Sequence, residues 1–299
     1  MFLQLTALAH ERCEPVHCGV EEFGPWGLRL RPNARVRSSL QIQNQLLWDV
    51  TYSVDRHSRR VTLGSKGKKF LALFGCSWVF GTGVADQETL PSQLAKLLPD
   101  FKIYNYGFPG SGPNWALARV QDPEFSREIP EDSGTFLYVL MDSQIARANG
   151  FLVERTFSGK APLFIRENGN FRNIGSLDEA RPLRTFLYRT VTDMARAFGF
   201  FNRFNWPRRP SIEHYQYGCE LLAGIKTRLA ALRPNSRFIV LNHPMLRVAD
   251  KGFLRCLEEQ KVSVVESILQ IKSEYLVPID RHPTALLHRD LAKELSKSL

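Results

Sequence analysis

From Lys69 onward, short apolar runs alternate with stretches whose apolar residues recur at helical spacing, the pattern of a mostly parallel sheet covered on both faces. The runs are Phe70 to Phe74, Lys102 to Tyr106, Thr135 to Met141 and Arg237 to Asn242, with a weaker fifth in Ser263 to Val265 or in Tyr275 to Ile279. Between them, Glu88 to Leu98, Pro113 to Val120, Tyr215 to Leu232 and Thr284 to Leu299 read as helices, and Leu221, Leu222, Ile225, Leu229 and Leu232 form one core-facing stripe. The expected architecture is a three-layer α/β/α fold with a mostly parallel sheet. A chain of 299 residues at 43% hydrophobic is large enough to bury such a core.

Residues 1–68 follow a different rule. Trp26 to Arg31 and Val50 to Asp55 alternate with a period of two between polar breaks, which predicts a small β-rich segment ahead of the main domain at 69–299. Residues 151 to about 212 interrupt the main pattern as an insertion. It opens with Leu163 to Arg172, where Asn168-Gly169 between two strand-like runs predicts a hairpin. An aromatic-rich helical stretch, Arg184 to Phe201, and a basic loop, Arg203 to Arg209, follow. They suit a lid, a partner surface or a membrane-surface contact, with packing onto the sheet the simpler expectation.

The net charge of +10, from 40 Lys and Arg against 30 Asp and Glu, favours anionic surroundings. Its basic residues are spread along the chain, with concentrations at Arg56 to Lys69 and Arg203 to Arg209, and no nucleic-acid motif accompanies them. A solvated basic surface is therefore expected, with no nucleic-acid partner. Five cysteines, at 13, 18, 76, 219 and 256, cannot all pair, and reduced thiols are the default expectation. Cys13 and Cys18, with His10 and His17 nearby, lack a second ligand pair, so no metal is expected. No window approaches a membrane span and Met1 to His10 lacks a secretory signal, which points to a cytoplasmic setting. The sequence says nothing of oligomeric state.

The chemistry concentrates at two places. Phe70 to Gly81 is an apolar run that delivers Ser77 into a glycine-flanked turn, as a strand presents a nucleophile; Val277 to Pro283 places Asp280 and His282 just before the last helix. A serine hydroxyl needs a histidine to take its proton, and the histidine needs a carboxylate to fix its tautomer. Asp280 and His282 are two apart, so in extended chain both project to one side. These residues fall at the ends of predicted parallel strands, where α/β sheets place their sites. Trp78 and Trp115 suit either the pocket or the core. His57, His214, His243 and His288 are not needed, although His243 follows a strand and lies near the cleft edge or in the core.

Gly75-Cys76-Ser77-Trp78-Val79-Phe80-Gly81-Thr82-Gly83-Val84 resembles the first sequence block of the SGNH or GDSL-type serine esterases, Asn105-Tyr106-Gly107-Phe108-Pro109-Gly110-Ser111-Gly112 the second, and Asp280-Arg281-His282-Pro283 the last. The resemblance implies an esterase acting through an acyl-enzyme on Ser77, with no cofactor, on an acyl ester of a carbohydrate or a lipid. Alternatives are an O-acyltransferase using the same triad, or a catalytically weak binding or scaffold protein. It further implies an oxyanion hole from the backbone N–H of Ser77 and Gly110 and an asparagine of the third block. Here the chain departs from the pattern, because Tyr138 to Met141 leads into Asp142-Ser143-Gln144, leaving Gln144 or Ser143 as the candidate third donor. Cys76 stands where the family has aspartate. Adjacent residues leaving a strand point apart, so Cys76 is expected to face the interior as a small hydrophobe.

Overall fold

The computed structural model describes residues 9–14, 19–42, 44–150, 159–183, 185–187, 190, 194, 210–245 and 247–299. Its centre is a five-stranded, wholly parallel sheet of β6 (Lys69–Gly75), β7 (Phe101–Gly107), β8 (Gly134–Leu140), β11 (Ser236–Asn242) and β12 (Ser263–Glu266), in the spatial order β12-β11-β8-β6-β7. The fifth strand is thus the Ser263 alternative; Tyr275 to Ile279 instead forms a turn closed by a bridge between Leu276 and Pro283.

Alternate residues of each strand feed two cores, as the period of two requires. Phe70, Ala72, Phe74, Phe136, Tyr138 and Val240 pack under α3 (Pro113–Gln121), α6 (Ile212–Leu232) and α7 (Lys251–Glu259), and the stripe read from the sequence supplies Leu221, Leu222, Ile225 and Leu229. Leu71, Leu73, Leu137, Val139, Ile239 and Leu241 face the other way, against α2 (Leu90–Leu97) and α8 (Ala285–Leu295). The fold is a three-layer α/β/α sandwich. Between α6 and α7, Cys219 and Cys256 form a disulfide, which corrects the expectation of reduced thiols: both lie on buried faces of packed helices, with Cα atoms 6.3 Å apart. Cys76 is free and buried.

The N-terminal residues form antiparallel strands. β1 (Ala9–Glu14), β4 (Arg35–Ile42) and β5 (Gln45–Ser53) make one sheet, and β2 (Val20–Phe23) pairs with β3 (Gly27–Leu30). The predicted hairpin is present as β9 (Pro162–Glu167) and β10 (Asn170–Ser176), with Asn168 and Gly169 at φ 51° and 78°, both positive as its two-residue turn demands. It packs onto the helical layer: Tyr217 donates from its hydroxyl to the Phe164 carbonyl and Gln121 from its amide to the Phe171 carbonyl. The basic loop at 203–209, most of the aromatic stretch before it, and Cys18 and His17 lie outside the described residues. No helix among the described residues is long and apolar enough to cross a membrane.

Candidate active site

Strand β6 ends at Gly75 with φ 152°, and a Cβ there would lie 2.6 Å from Val79 Cγ2 and 3.1 Å from the Val139 carbonyl oxygen, so only glycine makes the turn. Cys76 then caps the four-residue helix α1 (Ser77–Phe80), its carbonyl accepting from the N–H groups of Val79 and Phe80 at 3.0 Å each. Ser77 is consequently the first residue of α1, and a first-turn N–H has no partner within its own helix. Below it, Gly107 lets α1 approach β7: a Cβ there would sit 2.2 Å from the Phe80 nitrogen. Asn105 is buried at the same place, donating to the carbonyls of Val79 and Phe80 at 3.0 and 3.4 Å while accepting from Gly107 N–H.

The second glycine loop is tied to the same turn. Phe108 N–H and the Ser111 hydroxyl both donate to the Gly75 carbonyl, at 2.9 Å each. Gly110 sits in this loop at φ 76°. Among the described residues, neither its N–H nor that of Ser77 donates to a protein acceptor.

Asp280 and His282 enter from the loop before α8, 205 positions from Ser77 in the case of the histidine. His282 Nδ1 lies 2.5 Å from Asp280 Oδ2, and Nε2 lies 2.9 Å from Ser77 Oγ. A carboxylate only accepts, so Nδ1 carries the ring proton and Nε2 is left to accept from the serine hydroxyl. Asp280 also accepts from the His282 backbone N–H at 3.1 Å, and Val277 N–H donates to the His282 carbonyl at 2.8 Å, which closes the loop. The loop is strained: Ile279 and Arg281, on either side of Asp280, have φ of 68° and 70°. Ser77 is 8% exposed, and the Asp280 and His282 side chains 18% and 24%. The serine is thus nearly covered, while the imidazole and the carboxylate are each partly open to solvent.

Of the candidate side-chain oxyanion donors, Gln144 is a wholly buried residue of α4 (Asp142–Ala148), and its amide nitrogen donates at 3.1 Å to the Val139 carbonyl. Ser143 lies half-buried in the first turn of that helix. Cys76 packs inward with Trp78, Met141, Tyr275, Leu276 and Leu287. Trp115 stacks on Phe108 at 4.9 Å, and Trp78 meets His243 edge-on at 4.7 Å, so both indoles are packing residues first. His243 is buried, with Nδ1 accepting from Met245 N–H; burial, and then the neighbouring His288, pulls it down to about 3. His288 is likewise drawn down to about 3 by burial, with Arg60 and His282 adding to the effect, and its Nε2 has no partner among the described residues.

Three residues at this site escaped the sequence reading: Asn105, Trp48 and Arg60. Asn105 stands in the second glycine block and was visible there without a role. Trp48 and Arg60 belong to the β-rich segment, and nothing local to them points at a serine 17 or more positions away.

No protein-family model matches the chain, and no curated protein matches it in sequence. Solved structures similar to it include a member of the lipolytic protein G-D-S-L family from Veillonella parvula, 11% identical, covering 77% of this chain and 97% of that one with a TM-score of 0.42. An acetyl xylan esterase from the rumen bacterium Butyrivibrio proteoclasticus is 13% identical over 78% of this chain and 64% of its own, with a TM-score of 0.47. An α/β hydrolase from the metagenome of Lake Arreo is 13% identical over 79% and 97%, with a TM-score of 0.44.

Proposed function

We propose that this chain is a serine hydrolase that cleaves an acyl ester, of a carbohydrate or a lipid, through an acyl-enzyme on Ser77. The reading is carried by one observation: an unbroken chain of hydrogen bonds from Ser77 Oγ through both ring nitrogens of His282 to Asp280, at 2.9 and 2.5 Å. In the first half-reaction His282 Nε2 takes the hydroxyl proton as Ser77 Oγ bonds to the acyl carbon. The same nitrogen then gives the proton to the departing alkoxide as the ester C–O bond breaks. Water repeats the sequence on the acyl-serine, delivering its proton to His282 and releasing the acid. Asp280 holds the tautomer and stabilises the imidazolium that forms twice.

The negative charge on the acyl oxygen falls to the N–H groups of Ser77 and Gly110, each without an acceptor among the described residues. A single such donor is worth about 3 kcal/mol in the transition state. The side-chain candidates for a third donor are Ser143 and Gln144, whose amide keeps a second N–H beyond the one given to the Val139 carbonyl.

A fluorophosphonate probe tests the reading. Phosphonylation of Ser77, located by peptide mass spectrometry and lost in Ser77→Ala and His282→Ala, is expected. An unlabelled, folded wild type would sink the hydrolase reading in favour of a binding or scaffold role. Turnover of acetyl and longer acyl esters by the untreated protein then separates substrates by chain length, and product analysis with added alcohol separates hydrolysis from transfer.

A further inference from the structure

We infer that Trp48 and Arg60, both from the β-rich N-terminal segment, are positioning residues of the Ser77–His282 pair, so that the catalytic unit includes this segment. The inference rests on the triad reading above and deepens it.

Arg60 is the clearest case. Its side chain is completely buried, although it comes from outside the parallel sheet's own strands. Nη1 donates to the carbonyls of Phe80, at 2.9 Å, and of Gly81; Nη2 donates to that of Val84 at 2.6 Å; Nε donates to Asp86 Oδ1 at 3.0 Å. The guanidinium lies 4.3 Å over the Tyr52 ring and 4.9 Å over Phe80. Phe80 and Gly81 are the last residue and the C-cap of α1, whose first residue is Ser77. A four-residue helix has a single turn of its own hydrogen bonds to hold its axis, so its direction is set by what binds its C-terminal carbonyls. Asn105 binds the carbonyls of Val79 and Phe80 from below, and Arg60 binds those of Phe80 and Gly81, and that of Val84 three residues further on, from the side. No other side chain offers this: a lysine carries three donors at one point, whereas four acceptors here are spread around a planar fork.

Trp48 fixes the other partner. Its indole meets the His282 ring edge-on, with centroids 6.2 Å apart at 87°, and its N–H donates to Ser38 Oγ at 3.2 Å, so β4 holds the ring. On the remaining side it lies against Gly83, where a Cβ would approach Cε3 to 3.0 Å. Trp48 also packs with Val277 and Ile279 of the loop that carries Asp280. One side chain thus touches both the turn that follows α1 and the loop that carries the acid and base. Relative displacement of those two by about 1 Å is enough to cost on the order of 100-fold in a reaction that needs the Oγ–Nε2 contact.

The experiment measures the second-order rate of fluorophosphonate labelling at Ser77 against pH for the full chain, well below each variant's melting temperature. Arg60→Lys and Trp48→Ala are expected to label about 10- to 100-fold more slowly, while Trp48→Phe, which keeps an aromatic ring against His282, regains most of the rate. Arg59→Lys is the control for mere destabilisation. Arg59 is also buried in the same segment but binds Asp55, the Tyr106 hydroxyl and the Glu128 carbonyl, and touches neither α1 nor His282. Its rate is expected to match wild type despite a lower melting temperature. Labelling of Trp48→Ala and Arg60→Lys at the Arg59→Lys rate would overturn the inference while leaving the triad reading intact. If Arg60→Lys does not fold, the Trp48→Ala and Trp48→Phe pair decides alone. Absence of labelling in wild type removes the triad reading and this inference together.

Discussion

Arg281 and Ile279 frame Asp280 with the same left-handed backbone but for different return. Arg281 is exposed, and its side chain has no hydrogen bond or ion pair among the described residues. Arg281→Gly is therefore expected to raise stability by about 0.5–1 kcal/mol, the relief of a non-glycine left-handed residue less the extra freedom glycine gains when unfolded. A urea midpoint at or below wild type would show that the loop is not strained there. Ile279→Gly should not gain, because its side chain packs beside Trp48 and Val277. At this scale the hydrogen-bonded Ser77, His282 and Asp280 were legible, since Ser77 follows an apolar strand and the other two precede the last helix, both patterns readable locally. The bond from Gln144 back to the Val139 carbonyl was not, because it exists only once β8 has turned into α4. Arg60 was hidden for the opposite reason: a lone arginine in a basic stretch looks solvated until the fold brings three carbonyls to it.

Elements were read well where one period dominated. The first four parallel strands and the helices α2, α3, α6 and α8 fall within a few residues of their expected limits, and Asn168-Gly169 located a hairpin turn. Pairings between helices were not legible, and the cysteines show why. Cys219 lies among the apolar positions of α6 and Cys256 among those of α7, each indistinguishable in sequence from a small core residue. Only the packing of the two helices makes them neighbours. Their separation of 37 residues gives the bond an entropic worth of about 4 kcal/mol against the unfolded chain. The Cys219→Ala, Cys256→Ala double variant should lose roughly that amount, and a reducing buffer should lower the wild-type denaturation midpoint but leave the double variant's unchanged. Equal wild-type midpoints in oxidising and reducing buffer would mean that the bond contributes nothing.

Across the whole molecule, two neutral histidines are buried behind the nucleophile turn, and they set how the fold meets acid. His243 lies against Trp78, next to Ser77, and His288 projects from α8 with an Nε2 that has no partner among the described residues; both are held down to about 3. In the unfolded chain each would accept a proton near 6.5. Between those values the unfolded state binds more protons than the folded one, so stability is complete above about pH 6.5 and falls as pH is lowered toward 3. The loss at pH 5 is about 2 kcal/mol per histidine. Carboxylates held below their usual range, Asp49 by Arg37, Glu179 by Ser176 and Asp290 by Arg289 and Tyr275, add to acid sensitivity only when pH drops through their lower window, starting near 4. These two histidines, with a smaller share from the partly buried His57, whose value burial and then Arg59 hold below 6.5, therefore govern the range from 6.5 to about 4. Urea denaturation of wild type at pH 7.5 and pH 5 should show a drop that is about halved in His288→Leu, which removes one site while filling similar space. An undiminished drop in that variant would place the acid sensitivity elsewhere. The position of these groups gives the measurement a functional side: acid opens the structure at Trp78 and α8, the two supports behind Ser77 and the Asp280 loop, so labelling of Ser77 should be lost together with the fold signal around Trp78 rather than after it.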